Sequence, residues 1–389
     1  MGPLWGINVV EMSGIGPGPF AGMMLADMGA TVTRVDRLPG TKSGILTGLS
    51  EGRADVVSRG RRSIAVDLKS AEGVELVLRL VDSADVLIEG YRPGVMERLG
   101  LGPAVCLARN PALVFGRMTG WGQDGPLAQA AGHDINYIAL SGVLGAIGRH
   151  GQIPVPPLNL VGDYGGGGML LACGVVAALL SVARTGAGQV VDAAMVDGSA
   201  LLMAQFYGMT ALGRWSQERG TNLLDSGAPF YDVYPSADGG YLSVGPLEPA
   251  FFAILLERLE ILDIDPGSQY DLRCWPALRR RLAEEFASRT RGTIQELFAD
   301  VDGCVFPVLS MSEAPKHPHN LARGTFVTRD AVVQPAPAPR FSATPTQLGL
   351  PPPAVGEHTN AILAELGMAA DEVRRLHEAR VVGSSELQL

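Results

Sequence analysis

Short apolar runs alternate with amphipathic stretches through the first third of the chain. INVVEM (7–12) reads as a buried strand, SGIGPGP as a turn, FAGMMLADMGA (20–30) as a helix and TVTRVDR (31–37) as a second strand. The pattern continues. SIAVDLKS (63–70) supplies a strand and a helix cap, AEGVELVLRLVDSA (71–84) an amphipathic helix and DVLIEGY (85–91) a strand. VMERLG (95–100) is a short helix, and ALVFGRMTGWG (112–122) a strand running into a glycine-bearing loop. Strands alternating with helices predict right-handed crossovers, a parallel sheet and a doubly wound, Rossmann-like α/β domain.

DYGGGGMLLACGVVAALLSVA (163–183) opens on a carboxylate, passes four glycines and becomes apolar on nearly all sides, which predicts a buried central helix. Glycines at a helix start leave amide N–H groups open to an anion, so Asp163 is expected beside a place that welcomes negative charge; a glycine-rich turn before a core helix gives the same pattern. VVDAAMVDG (190–198) and a helix over 199–213 follow, so residues 1–213 are expected to form the large domain. Residues 214–229 read as a linker. FYDVYPSADGGYLSVGPL (230–247) has the signature of a hairpin; helices near 249–261, 275–289 and 292–299 and a strand at 305–310 complete a smaller α+β domain over 230–315. Residues 316–389 are expected to return to the large domain through a proline-rich strap (335–353) and a closing helix (356–367) with Thr359 as its N-cap.

With 47% hydrophobic and 18% charged residues, the 389-residue chain has the composition of a folded protein with sizeable cores. A net charge of −9 argues against general nucleic-acid binding. Arg59, Arg61 and Arg62 still cluster, as a site for a phosphorylated ligand or as a solvated loop. The four cysteines have no CxxC spacing, so neither a metal site nor a disulfide framework is expected. The apolar run at 169–183 is shorter than the ~20 residues of a membrane span, and no secretory signal is visible; a cytoplasmic location without membrane attachment is expected.

Doubly wound folds bind ligands outside the carboxyl ends of their strands. SGIGPGP, with Asp36 at the distance of a ribose-binding acid, resembles a nicotinamide-dehydrogenase fingerprint without matching GxGxxG. Four acid–base groups stand out by context: His133 and Asp134 before an apolar helix, Asp163 at the glycine run, and Glu248 after the second hairpin strand. A histidine and a carboxylate on opposite sides of one carbon remove a proton from either face. A helix-capping or core histidine and a surface turn acid are the plainer readings of His133 and Glu248.

VVEMSGIGPGPFAGMMLADMGATVTRVDR, DVLIEGYRPGVMERLGLGP, MTGWGQDGP, AGHDINY, PPLNLVGDYGGGG, GQVVDAAMVDGS and GEHTNAIL together carry a resemblance to the class III CoA-transferase superfamily. Within it, the chain resembles the α-methylacyl-CoA racemases over nearly its whole length. The resemblance implies an interlocked homodimer and an isomerase that interconverts (2R)- and (2S)-2-methylacyl-CoA through an enolate. CoA is then part of the substrate, and no metal or further cofactor is needed. His133 and Asp163 are implied as the two proton carriers, with Asp134 and Glu248 supporting them. CoA contacts are implied for Arg37, Val66, Asp67, Leu68, Lys69, Gly90, Tyr91, Arg92 and Arg98, and for Gly132 to Tyr137, including Asn136. The competing readings are a CoA-transferase in which Asp163 is a nucleophile forming a mixed anhydride, and a catalytically silent acyl-CoA-binding protein. His133 separates the first from a racemase, because a transferase needs no second base there.

Overall fold

A computed structural model describes residues 1–38 and 52–384. The chain runs β1 (Asn8–Met12), α1 (Pro17–Asp27), β2 (Thr31–Asp36), β3 (Arg61–Val66), α2 (Ala71–Asp82), β4 (Val86–Glu89), α3 (Val95–Arg98), α4 (Pro103–Arg109) and β5 (Val114–Thr119). It continues with α5 (Asp134–Leu140), α6 (Val143–Ala146), α7 (Leu170–Thr185), β6 (Gln189–Ala194), α8 (Met195–Leu202) and α9 (Ala204–Ala211). Then come β7 (Asp232–Pro235), β8 (Tyr241–Val244), α10 (Pro249–Arg258), α11 (Trp275–Ala287), α12 (Arg291–Leu297), β9 (Val305–Val308) and α13 (Pro318–Arg323). The last elements are β10 (Phe326–Arg329), β11 (Val332–Pro335), α14 (Thr359–Glu365), α15 (Ala370–Glu378) and β12 (Val382–Gly383).

The larger compact unit comprises residues 1–141, 157–202 and 325–389. Its sheet has the order β12-β3-β2-β1-β4-β5-β6, parallel from β3 to β6 and closed at one edge by the antiparallel β12. This is the expected doubly wound sheet. The order in which the strands are added reverses between β1 and β4, and in such sheets ligands bind at the carboxyl ends of the strands at that point. Val9, Val32, Val86 and Val114 belong to the core on one face, with Leu25, Leu171 and Val175. Ile64, Leu87 and Phe115 belong to the core on the other, with Val77 and Leu363. Ser70 caps α2, its hydroxyl accepting from the Gly73 amide at 3.0 Å. Thr359 is the first residue of its helix rather than the cap: its hydroxyl accepts from the Ala65 amide and donates to the Gly383 carbonyl, binding the C-terminal segment to the sheet.

The smaller unit comprises residues 142–156 and 203–324. Antiparallel strands β7-β8-β9 pack with α10, α11 and α12 around Phe230, Phe252, Leu255, Leu282 and Phe286. The unit extends beyond the expected 230–315, and the reason is electrostatic. Asp232, buried at the start of β7, holds Arg149 at 2.8 Å and also pairs with Arg279. Arg219 donates to the carbonyl of Gln152. Residues 142–156 are thereby tied to the smaller unit although the sequence around them reads as part of the large one.

Candidate active site

Several of the expected CoA residues lie at strand carboxyl ends beside the sheet switch point. Arg37 follows β2, Tyr91 follows β4 and Ser13 follows β1, and the three sit at neighbouring strand ends. Tyr91 hydrogen-bonds Ser13. Burial raises its hydroxyl pKa, and the Arg37 charge opposes that rise. The loop carrying Gly90, Tyr91 and Arg92 is pinned from below: Glu89, almost fully buried, accepts the Tyr91 amide at 2.7 Å and Arg117 Nε at 2.9 Å. Arg117 also reaches Glu97 in α3 at 2.8 Å. Arg98 ends that helix and is exposed. Asp67, Leu68 and Lys69 form the turn after β3, with the Asp67 carboxylate accepting the Lys69 amide. Val66 differs from its neighbours because its side chain is spent in the core.

A second cluster lies at the start of α5. His133 is the N-cap residue, exposed, and its amide donates to Asn136 Oδ1 at 3.0 Å. Asp134 follows it into the helix and is buried. Its Oδ2 accepts the backbone amide of Asp163 at 2.7 Å, while its Oδ1 is buried without a hydrogen-bond partner. One hydrogen bond and one peptide unit therefore connect the two proposed proton carriers. Asp163 also feels both neighbours. Burial, the largest influence, pushes its carboxyl above the ordinary carboxylate value; a hydrogen bond from Asn159 pulls it down, Asp134 pushes it up and the His133 charge pulls it down. Tyr137 lies in the same cluster, its ring edge-on to Trp121 at 4.7 Å and its hydroxyl donating to the Gly132 carbonyl. Gly132 permits this approach, since a Cβ there would meet the Tyr137 ring at 2.8 Å.

The glycine run has a different role from the expected one. The helix starts before Asp163: Leu160–Met169 winds as a π-helix that continues into α7. A π-helix directs each amide to the carbonyl five residues back, so the glycine amides lie inside the helix and do not fan out at its start. The glycines serve close approach instead. A Cβ on Gly166 would lie 2.6 Å from the Ser199 amide nitrogen, and one on Gly167 2.9 Å from Met195 and from Pro17. On Gly168 it would lie 2.8 Å from Phe20 and from the Pro17 carbonyl. The π-helix is thus clasped between α1 and α8. Two further glycines make room for the carboxylates: a Cβ on Gly162 would meet Asp134 Oδ2 at 2.4 Å, and one on Gly16 would meet Asp163 Oδ2 at 3.0 Å.

Two other expectations need correction. Arg59 and Arg61 are not a ligand-binding patch, because both are buried in ion pairs, with Asp27 at 2.6 Å and Glu11 at 2.9 Å. Arg62 pairs with Glu365 at 2.8 Å. The second correction concerns burial. α7 is not buried all round: Cys173, Val176 and Leu180, with Met169 just before it, form an exposed apolar stripe. Leu160–Thr185 spans 26 residues, long and apolar enough by length and composition to cross a membrane. Glu248 belongs to the smaller unit, exposed at the N-cap position of α10, where its charge adds to the effect of burial in raising the Tyr270 and Cys304 pKa values. Among the described residues no group of three or more His, Cys, Asp or Glu side chains forms a metal centre. Ser13 and Gly16 lie in the SGIGPGP segment that the sequence marks as a strand-end candidate, whereas Asn159 is a site residue that sequence reasoning missed; the NLVGD spacing, which puts Asn159 one helical turn before Asp163, was the available signal.

Known proteins resemble this chain over nearly its whole length. The profile of the CoA-transferase family III matches residues 4–359. The chain is 45% identical to a mouse α-methylacyl-CoA racemase and 42% identical to a human one, in each case over 387 residues and 99% of both chains. A crystal structure of a CaiB/BaiF family protein from Brucella suis superimposes with a TM-score of 0.80 at 28% identity, covering 94% of this chain and 99% of that one. The sequence motifs and the doubly wound sheet therefore have one explanation: this chain belongs to the CoA-transferase family III.

Proposed function

We propose that this protein is an α-methylacyl-CoA racemase, interconverting (2R)- and (2S)-2-methylacyl-CoA by proton transfer between His133 and Asp163 through an enolate. The observation that carries the reading is the Asp134 bridge. The residue adjoining His133 binds the Asp163 backbone, and the Asp163 carboxyl responds to the His133 charge. A thioester weakly acidifies its α-proton, and each positioned base contributes about 10²–10⁴ in rate. His133 removes the proton from one face while Asp163 delivers its own to the other; the reverse direction exchanges the roles. Desolvation of Asp163 suits this, since a carboxyl whose pKa is raised carries a proton more readily. With the glycine amides spent inside the helix, donors for the enolate oxygen are better sought at the Asp134 and Ile135 amides that open α5, ahead of the Asn136 and Tyr137 amides already bonded to the His133 carbonyl. Arg37, Tyr91 and Arg92 at the strand ends are proposed to hold the CoA portion, Arg by stacking and forked contacts to phosphate. Proton transfer of this kind balances without a metal or a redox cofactor.

The open stripe of α7, together with exposed Leu140, Leu201 and Leu202, supports a homodimer in which a second copy covers it. The same face then serves association in a cytoplasmic protein, not a membrane span. The test is α-proton exchange in D₂O with a 2-methylacyl-CoA, run beside a transfer assay with free carboxylates. Exchange with epimer interconversion and no CoA transfer is expected. Trapping of an acyl-Asp163 by hydroxylamine without exchange would assign the transferase chemistry instead.

A further inference from the structure

Glu89 and Arg117 stand opposite each other on β4 and β5, on the same face as the core residues Leu87 and Phe115. Desolvation offsets much of what such a buried pair gains by joining two strands. These side chains do more than join strands. A continuous run of bonds leads from the loop after β4 to α3. The Tyr91 amide donates to Glu89 Oε2 at 2.7 Å, Arg117 Nε donates to Glu89 Oε1 at 2.9 Å, and Arg117 Nη1 donates to Glu97 Oε1 at 2.8 Å. Arg117 is buried, whereas Arg92 and Arg98, on the two segments it connects, are exposed. Arg98 folds back toward the Arg92 loop, since a Cβ on Gly94 would meet its Nη1 at 3.2 Å. Arg92 acts on the reacting end: burial and the Asp163 charge raise the Tyr137 hydroxyl pKa, and the Arg92 charge opposes them. Two carboxylates against one guanidinium leave the buried trio negative when all are ionised. It does not attract phosphate, so what it contributes is geometry. We propose that Arg117 is a positioning residue for the acyl-CoA: by bridging Glu89 to Glu97 it fixes the spacing of Arg92 and Arg98, so that both cations meet the phosphates of the CoA nucleotide together. The inference rests on the proposed reading of this site as a CoA site, and on no step of the proton transfer.

Glu97 separates position from charge. It is exposed, so Glu97→Ala should leave the buried Glu89–Arg117 pair and the fold in place. A purely electrostatic role predicts tighter CoA binding in this variant, because a carboxylate beside Arg98 is removed; the positioning role predicts weaker binding. Titration calorimetry with CoA is expected to show Kd raised about threefold or more in Glu97→Ala, the loss of part of one charge-assisted contact. In Arg117→Lys the rise is expected to be about tenfold or more, because a single ammonium lacks the planar fork that holds two carboxylates at once. Unchanged or tighter binding in either variant would overturn the proposal. In an Arg98→Ala background, Glu97→Ala is expected to cost little further, and a full multiplicative loss would show that Glu97 does not act through Arg98. Kinetics supply the readout that a merely structural role would not give. With a 2-methylacyl-CoA, Arg117→Lys is expected to raise KM and keep kcat. With the matching acyl-pantetheine, which lacks the nucleotide phosphates, it is expected to keep the wild-type kcat/KM. An equal loss with both substrates would make the role general support of the fold and overturn the proposal. Absence of α-proton exchange in a wild type that binds CoA would instead strike the racemase reading, while the CoA titration still decides for Arg117.

Discussion

The two halves of the helix from Leu160 to Thr185 spend their sequence in opposite ways. The first half, rich in glycine, is clasped by α1 and α8 and brings Asp163 to the amide-binding carboxylate of Asp134. The second half, rich in leucine and valine, packs Leu171, Ala172 and Val175 into the core and leaves Cys173, Val176 and Leu180 on the surface. Small residues create precision here because they let backbone and carboxylates approach. Large apolar residues on an open face create a demand for a partner. Low side-chain volume at the reacting end and high apolar area at the other end therefore separate chemistry from association along one continuous element.

The comparison breaks most severely at Asp163 itself. Asp163→Ala and, separately, His133→Ala are expected to lower the interconversion rate by about 10²–10⁴ with the fold intact, measured by chiral analysis of the thioester beside circular dichroism. Next comes the clasp. At Gly166 an added methyl meets the Ser199 backbone amide at 2.6 Å as well as the short Ser199 side chain, so Gly166→Ala should cost about 1–3 kcal/mol in chemical denaturation. Gly165→Ala faces only an ordinary contact with a Leu202 methyl, at 3.4 Å, and a tight one with the Leu160 carbonyl, at 3.2 Å, and should cost less. Equal costs at the two positions would remove the clasp as the reason for the glycines. On the other half, Leu180→Glu places a charge in the exposed stripe; light scattering is expected to show a folded monomer, and an unchanged oligomer would dissociate that stripe from assembly. The smallest effect concerns pH. A carboxyl whose pKa rises on folding favours the folded state when protonated, and that advantage is lost as pH climbs through its folded pKa. Asp163→Asn should therefore raise the thermal midpoint at neutral pH, with the difference fading as the pH falls below the ordinary carboxylate range.

Much of the larger unit was legible in the sequence, because INVVEM, TVTRVDR and DVLIEGY carry strand signals bounded by turn residues, and the helix over 71–84 carries a clear amphipathic period. His133 and Asp163 were legible as candidates through their motifs. Their connection was not, since the Asp134–Asp163 hydrogen bond joins residues distant in sequence and depends on the missing side chain of Gly162. The arginines at 59 and 61 misled for a related reason: charge reads as surface until the partners, Asp27 and Glu11, are brought in by α1 and β1. The apolar run of α7 concealed an exposed face because hydrophobicity marks what must be covered without saying by which chain. Asn159 carried the weakest signal, a single amide whose donation to Asp163 shows only once the π-helix is formed.

The most direct test of proton transfer between two residues follows one epimer of a 2-methylacyl-CoA through early conversion in D₂O. The newly formed epimer is expected to carry deuterium at the α-carbon, delivered from the opposite face, while the unconverted substrate retains its protium. A new epimer that keeps the original protium would mean that a single residue removes and returns the proton, and the pairing of His133 with Asp163 would be contradicted.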